Sequence, residues 1–263
     1  MSTTTSPVTV DTERPGVPLQ RLVKVELRKM FDTRSGFWLI ASIGIIALIA
    51  TIGVILLASD EEMKYGNFGA AVGAPMTILL PVMAILSVTG EWSQRTGLIT
   101  FTLAPHRAQV ISAKAIAAVI VGAVSVILAL AIGAVGNVVG SAIAGVDTKW
   151  DVTFNSASLI VLANVLGLLI GFMLGVLIRN SAGAIVGYFV YSLLLPTLFE
   201  VLSSTQDWFK DIRPWIDFNF AQGKLFDAPM SGEEWANLGV SALIWLVLPM
   251  TVGIWAVLRS EVK

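Results

Sequence analysis

Three aspartates, Asp207, Asp211 and Asp217, are the side chains of this sequence with the best claim to chemistry, and they are spaced by four and six. Acids clustered at a lipid surface can ligate a metal or exchange protons with a lipid substrate. Intervals of four and six specify no metal site, and a solvated acidic face is the simpler reading. Other chemistries are missing their parts. There are no cysteines and a single histidine, His106. Disulfides, thiolate catalysis and multi-histidine sites are therefore excluded. No HExxH zinc pattern occurs, and no Gly-x-Ser-x-Gly elbow. No GxxxxGK[ST] phosphate loop occurs either, so energy for uphill work would have to come from another polypeptide.

The elements that carry these residues are apolar. Hydrophobic residues make up 56% of the chain and charged residues 13%, against about 25% charged in soluble domains. The net charge of −1 supplies no basic field for nucleic acid. A spanning helix needs about 20 mostly apolar residues. Six stretches qualify: 37–58, 68–88, 113–135, 157–178, 182–202 and 237–258. The weak apolarity of 138–146 allows the third to continue past Asn137. All six are continuously apolar, where a barrel would alternate. Their central parts hold no Asp, Glu, His, Lys or Arg, which argues against a proton relay or a pore lined by charged rings. The expected fold is an all-α integral membrane protein with an N-terminal amphipathic interfacial helix and six transmembrane helices.

Lys and Arg distribution sets orientation. Lys64, Lys149, Lys210, Arg213 and Lys224 fall on one side, and the other twelve of the 17 basic residues fall on the side of the N-terminus. Both termini are therefore expected in the cytoplasm. The first 36 residues are polar, so the stretch at 37 reads as a retained span and not a secretory signal.

Between the spans, 19–31 is informative. At about 100° per residue, Leu19, Leu22, Val23, Leu27 and Met30 share a face, and Arg21, Lys24 and Arg28 point away. This predicts a helix lying on the cytoplasmic leaflet. Residues 32–36 supply a break, with Ser35 as N-cap. Glu26 falls on the apolar face. Either it snorkels to water or it pairs with Arg95 or Arg107 in the second cytoplasmic segment. The long outer segment 203–236 is rich in aromatic residues, which predicts short helices at the outer surface. Ser231 and Glu234 have capping-box spacing before the last span. Gly167, Gly171 and Gly175 allow close helix approach, within the chain or in a dimer. Pro75, Pro81, Pro196 and Pro249 are potential kinks.

The stretch 90–114, GEWSQRTGLITFTLAPHRAQVISAK, places Glu91, Thr96, Pro105, Arg107 and Lys114 in order around an apolar run. This resembles the membrane-spanning permease subunits of bacterial ABC-2 type (type V) ABC exporters. The likeness covers nearly the whole chain, and the ending RSEVK is similar too. It implies a cytoplasmic tail at 1–18, an elbow helix at 19–35 with Glu26 and Arg28, and a six-helix domain at 36–263. The loop at 89–113 would couple to an ATPase through Glu91, Trp92, Arg95, Thr96 and Arg107; the outer loop is 203–236. Met76, Thr77 and Leu80 on the second span, with Tyr188, Tyr191, Ser192 and Leu195 on the fifth, become candidate pathway residues, with ordinary packing the alternative for each. Leu193–Leu195 would be an apolar constriction. The implied partners are an ABC ATPase subunit, a second permease subunit (identical or not) and membrane lipids. This chain would need no cofactor and catalyse no bond chemistry, since ATP and Mg would be held by the ATPase. The implied location is the bacterial plasma membrane, and the implied cargo is hydrophobic or amphipathic (a drug, lipid or peptide). The competing reading is an integral membrane enzyme or scaffold at the lipid interface.

Overall fold

A computed structural model describes residues 17–32, 34–93, 107–227 and 229–259. They form helices α1 (Leu19–Asp32), α2 (Arg34–Leu57), α3 (Tyr65–Ser93), α4 (Arg107–Ala144) and α5 (Phe154–Ile178). There follow α6 (Ser181–Thr205), α7 (Asp207–Ile216), α8 (Phe218–Gly223) and α9 (Gly232–Arg259). Six of these, α2 to α6 and α9, are long and apolar enough to cross a membrane. No β-strand occurs among the described residues, only an isolated bridge between Lys64 and Lys149.

Two expected boundaries shift. The third apolar helix has 38 residues, Arg107–Ala144, instead of 113–135. Its small residues explain the extension: Gly136 and Gly140 sit against Thr51 and Phe68, so the helix stays packed beyond its most apolar part. The break after α1 is also shorter than expected. Helix resumes at Arg34, so Ser35 lies inside α2 and is not its N-cap.

α3 is the central helix, packed against α2, α4, α5 and α6. The outer helices differ sharply from it. α6 buries 11% of its apolar window where α5 buries 56%. Val186, Leu193, Leu194 and Val201 of α6 all face outward. Water would not tolerate so much apolar surface, but hydrocarbon does.

The chain ends its helices with local devices. Thr153 caps α5, accepting from Ser156 N, and Asn180 caps α6, accepting from Gly183 N at 2.9 Å. Arg179 between them adopts a left-handed φ of 56°, which closes the α5–α6 turn. Ser231 and Glu234 form the expected capping box at the start of α9.

Two π-helical turns interrupt the outer helices, Val190–Leu194 in α6 and Leu243–Val247 in α9. Each is followed two residues later by a proline, Pro196 or Pro249. Proline lacks an N–H and its ring collides with the preceding turn, so a widened turn relieves the clash.

The glycine repeat works inside the chain. A Cβ on Gly171 would collide with the Pro81 carbonyl oxygen of α3, and Gly175 meets Val88 and Ile85. Gly167 faces Gln222. Small residues here let α3 and α5 touch along their backbones. Gly171→Ala should therefore lower stability by about 1–3 kcal/mol, read as a lower melting temperature in detergent. Gly44→Ala, which meets nothing within 4 Å, should leave it unchanged.

Candidate functional site

α1 turns its apolar face into the bundle and packs on α4 and α2. Leu27 and Met30 join the main core, while Leu19, Val25 and Phe31 stay exposed. This register carries Glu26 inward with the apolar residues. Glu26 neither snorkels nor meets Arg107. Its Oε2 lies 2.6 Å from Nζ of Lys114 on α4, and its Oε1 lies 2.8 Å from Lys29. Glu26 is 8% exposed and Lys114 5%. Lys114 Nζ also points at the Ser87 carbonyl of α3, at 3.5 Å. One buried ammonium thus joins α1, α3 and α4. Arg95, the other partner expected for Glu26, lies outside the described residues.

The helix ends around this pair are also tied. Arg107 Nη1 donates to the Val257 carbonyl in the last turn of α9, at 3.1 Å. Thr89 Oγ1 and Ser181 Oγ lie 2.7 Å apart, linking α3 to the start of α6. Trp92 is half-buried and packs against the main core. Arg28 points outward and pairs with Asp32 at 3.2 Å, both well exposed. Glu91 is in the last turn of α3. Thr96, Pro105 and His106 lie outside the described residues, as does residues 1–16 of the expected tail. The described helix ends that flank residues 94–106 thus belong to a frame in which α1, α3, α4, α6 and α9 are fastened.

The candidate pathway residues divide. Met76 and Leu80 are fully enclosed in the main core, so in this conformation they face packed neighbours and no open path. α3 and α6 do meet. Tyr188 Oη donates to the Thr77 carbonyl at 2.5 Å. That carbonyl is freed because Pro81, four residues on, has no N–H to give it. The Thr77 hydroxyl donates to Ala74 O. Tyr191 is buried against Trp245, with a ring separation of 5.7 Å, and Ser192 and Leu195 are half-buried. Leu193 and Leu194 face outward from the π-helical turn.

At the far end, the 203–236 segment docks into the bundle through amides. Asn219 Nδ2 donates to the Tyr191 carbonyl at 3.3 Å, and Gln222 Nε2 to the Ala163 carbonyl at 2.7 Å. Pro196 denies an N–H to the Tyr191 carbonyl in the π register, so Asn219 supplies the missing donor. The two amides lie three apart, on one face of α8. That spacing within the aromatic run was the available signal for them. Asp217 is 1% exposed. Its carboxylate accepts from Phe220 N and lies 3.1 Å from Arg213 Nε, so it is engaged structurally, while Asp207 and Asp211 face solvent. Burial works against the Arg213 charge, but Glu200 and Asp217 outweigh it and hold its pKa above the ordinary value. Among the described residues, no group of three or more His, Asp or Glu is placed to hold a metal.

No protein-family model matches this chain, and no curated protein matches it. Roles for these side chains rest on their geometry.

Breaking a buried ion pair costs about 3–5 kcal/mol, because one charge is left unmatched. Lys114→Met should lose about that much in unfolding experiments. Glu26→Leu with Lys114→Met should recover most of the loss. Losses that simply add in the double variant would show that the two side chains do not act as a pair.

Proposed function

We propose that this chain is the permease subunit of an ATP-driven exporter of the ABC-2 type. In this reading both termini are cytoplasmic and α1 lies at the inner membrane surface. A separate ATPase engages the segment between α3 and α4, and a second permease subunit completes the pathway. The setting would be a bacterial plasma membrane. The observation that carries the reading is the Glu26–Lys114 junction, which fastens α1 to the bases of α3 and α4 on either side of residues 94–106. A force on that segment would reach whole helices, because their ends are bonded to one another.

The chain itself needs only to expose a path alternately to two sides. A partner that binds one conformation more tightly shifts the population toward it. ATP and its Mg would be bound by the ATPase, whose hydrolysis supplies the free energy. The π-helical turns at Val190–Leu194 and Leu243–Val247 are the places where α6 and α9 can bend, since the regular bonding is already interrupted there. The apolar character of the spans favours hydrophobic or amphipathic cargo.

Co-expression with an ATPase encoded beside this gene should give a stable complex that hydrolyses ATP. Glu26→Lys should weaken the coupling of cargo to ATPase rate by roughly tenfold, and adding Lys114→Glu should restore it. A chain that purifies alone and captures no such ATPase would end this reading.

A further inference from the structure

α1 spends its apolar side on the protein. Leu27 and Met30 join the main core and Glu26 reaches Lys114, so the helix holds to the bundle through α4 and α2. The opposite side stays open. Arg21, Lys24 and Arg28 are all exposed there. At 100° per residue they fall within an arc of about 60° and a length of about 10 Å. Arg34 adds a fourth exposed cation at the start of α2. Asp32 answers one of them, pairing with Arg28 at 3.2 Å. Arg21, Lys24 and Arg34 have no ion-pair partner among the described residues. The same surface is also apolar. Val25 and Phe31 are exposed and flank the cations. Phe37 and Trp38 are exposed in the first turns of α2, with ring centres 6.0 Å apart. A dissolved polyanion gains little from such side chains. The headgroup level of a bilayer suits both kinds, since aromatic rings settle there and cations beside a span attract acidic lipids. α1 ends at Asp32 and α2 begins at Arg34, so this face lies at the end of a helix of spanning length.

We propose that the outward face of α1 binds the headgroups of anionic phospholipids, of the phosphatidylglycerol kind. Arg21, Lys24 and Arg28 meet the phosphates, and Phe31, Phe37 and Trp38 settle beside them at the edge of the hydrocarbon. Arg28 leaves Asp32 at little cost, because an exposed pair is worth little. A choline lipid carries its own cation beside the phosphate and so competes poorly. α1 is then held from both sides, by Lys114 on its inner face and by lipid charge on its outer one. The site needs only α2 to span, and stands whether or not the chain serves an ATPase.

The test uses the full chain in neutral detergent, with short-chain phosphatidylglycerol, phosphatidylcholine or free glycerol phosphate, and native mass spectrometry as readout. Phosphatidylglycerol should be retained roughly tenfold better than phosphatidylcholine, the worth of one to two cations at an anionic surface. Arg21→Gln, Lys24→Gln and Arg28→Gln together should erase that preference. Arg21→Gln with Lys24→Gln, which leaves the Arg28–Asp32 pair in place, should remove most of it. All three side chains are exposed, and an unchanged melting temperature without lipid checks that the variants fold. Lys149→Gln, Lys210→Gln and Lys224→Gln together remove the same charge elsewhere and should leave the preference intact. Equal retention of the two lipids by the unaltered chain, or full preference in the Arg21, Lys24 and Arg28 variant, would overturn the proposal. Loss of the preference in the lysine variant as well would reduce it to net charge and overturn it too. Glycerol phosphate competing as well as the lipid would assign the face to a soluble anion, against the proposal.

Discussion

The contact between Glu26 and Lys114 constrains everything near it. Two opposite charges sit among apolar neighbours, where neither is stable alone. Their attraction offsets desolvation only while the geometry holds, so α1 cannot slide or roll without exposing one of them. Lys114 also reaches toward α3, which makes the register of three helices interdependent. The net gain in stability from such a pair is small. Its effect is to select one arrangement over neighbouring ones.

A second constraint comes from the surroundings. Where hydrocarbon replaces water, every freed backbone carbonyl needs a donor from the protein. A proline in a helix creates such a vacancy, and two of them are filled by side chains from elsewhere in the fold. Tyr188 fills the one left by Pro81, and Asn219 the one left by Pro196. The prolines thus act at a distance: they decide where α6 must touch α3, and where the 203–236 segment must be tethered. The π-helical turn at Val190–Leu194 and the Asn219 anchor that serves it have the same origin, Pro196.

Much of this was legible in the residue order, and the remainder fails for identifiable reasons. Six apolar runs, the Ser231–Glu234 cap and the close approach along Gly171 and Gly175 follow from local pattern, because each depends on neighbours within one or two turns. The place of Glu26 on the apolar face followed from its helical angle, between Leu22 and Leu19. Its partner did not, since Lys114 is 88 residues away and periodicity does not report which distant cation arrives. Met76 and Leu80, path candidates by likeness of position, are enclosed in the core in this conformation, and the residue order alone does not report that burial. The continuation of α4 past Asn137 was allowed by the weak apolarity of 138–146, and small residues fitting against Phe68 hold those last turns.

The 38 residues of α4 make a rod of about 57 Å, nearly twice the thickness of a hydrocarbon core of about 30 Å. A rod of that length behaves as a lever. A tilt of about 5° about one end sweeps the other through about 5 Å, a displacement comparable to a full helical pitch. Between Lys114 and Asn137 the rod spans about 35 Å, so the same tilt about one of them would displace the other by about 3 Å.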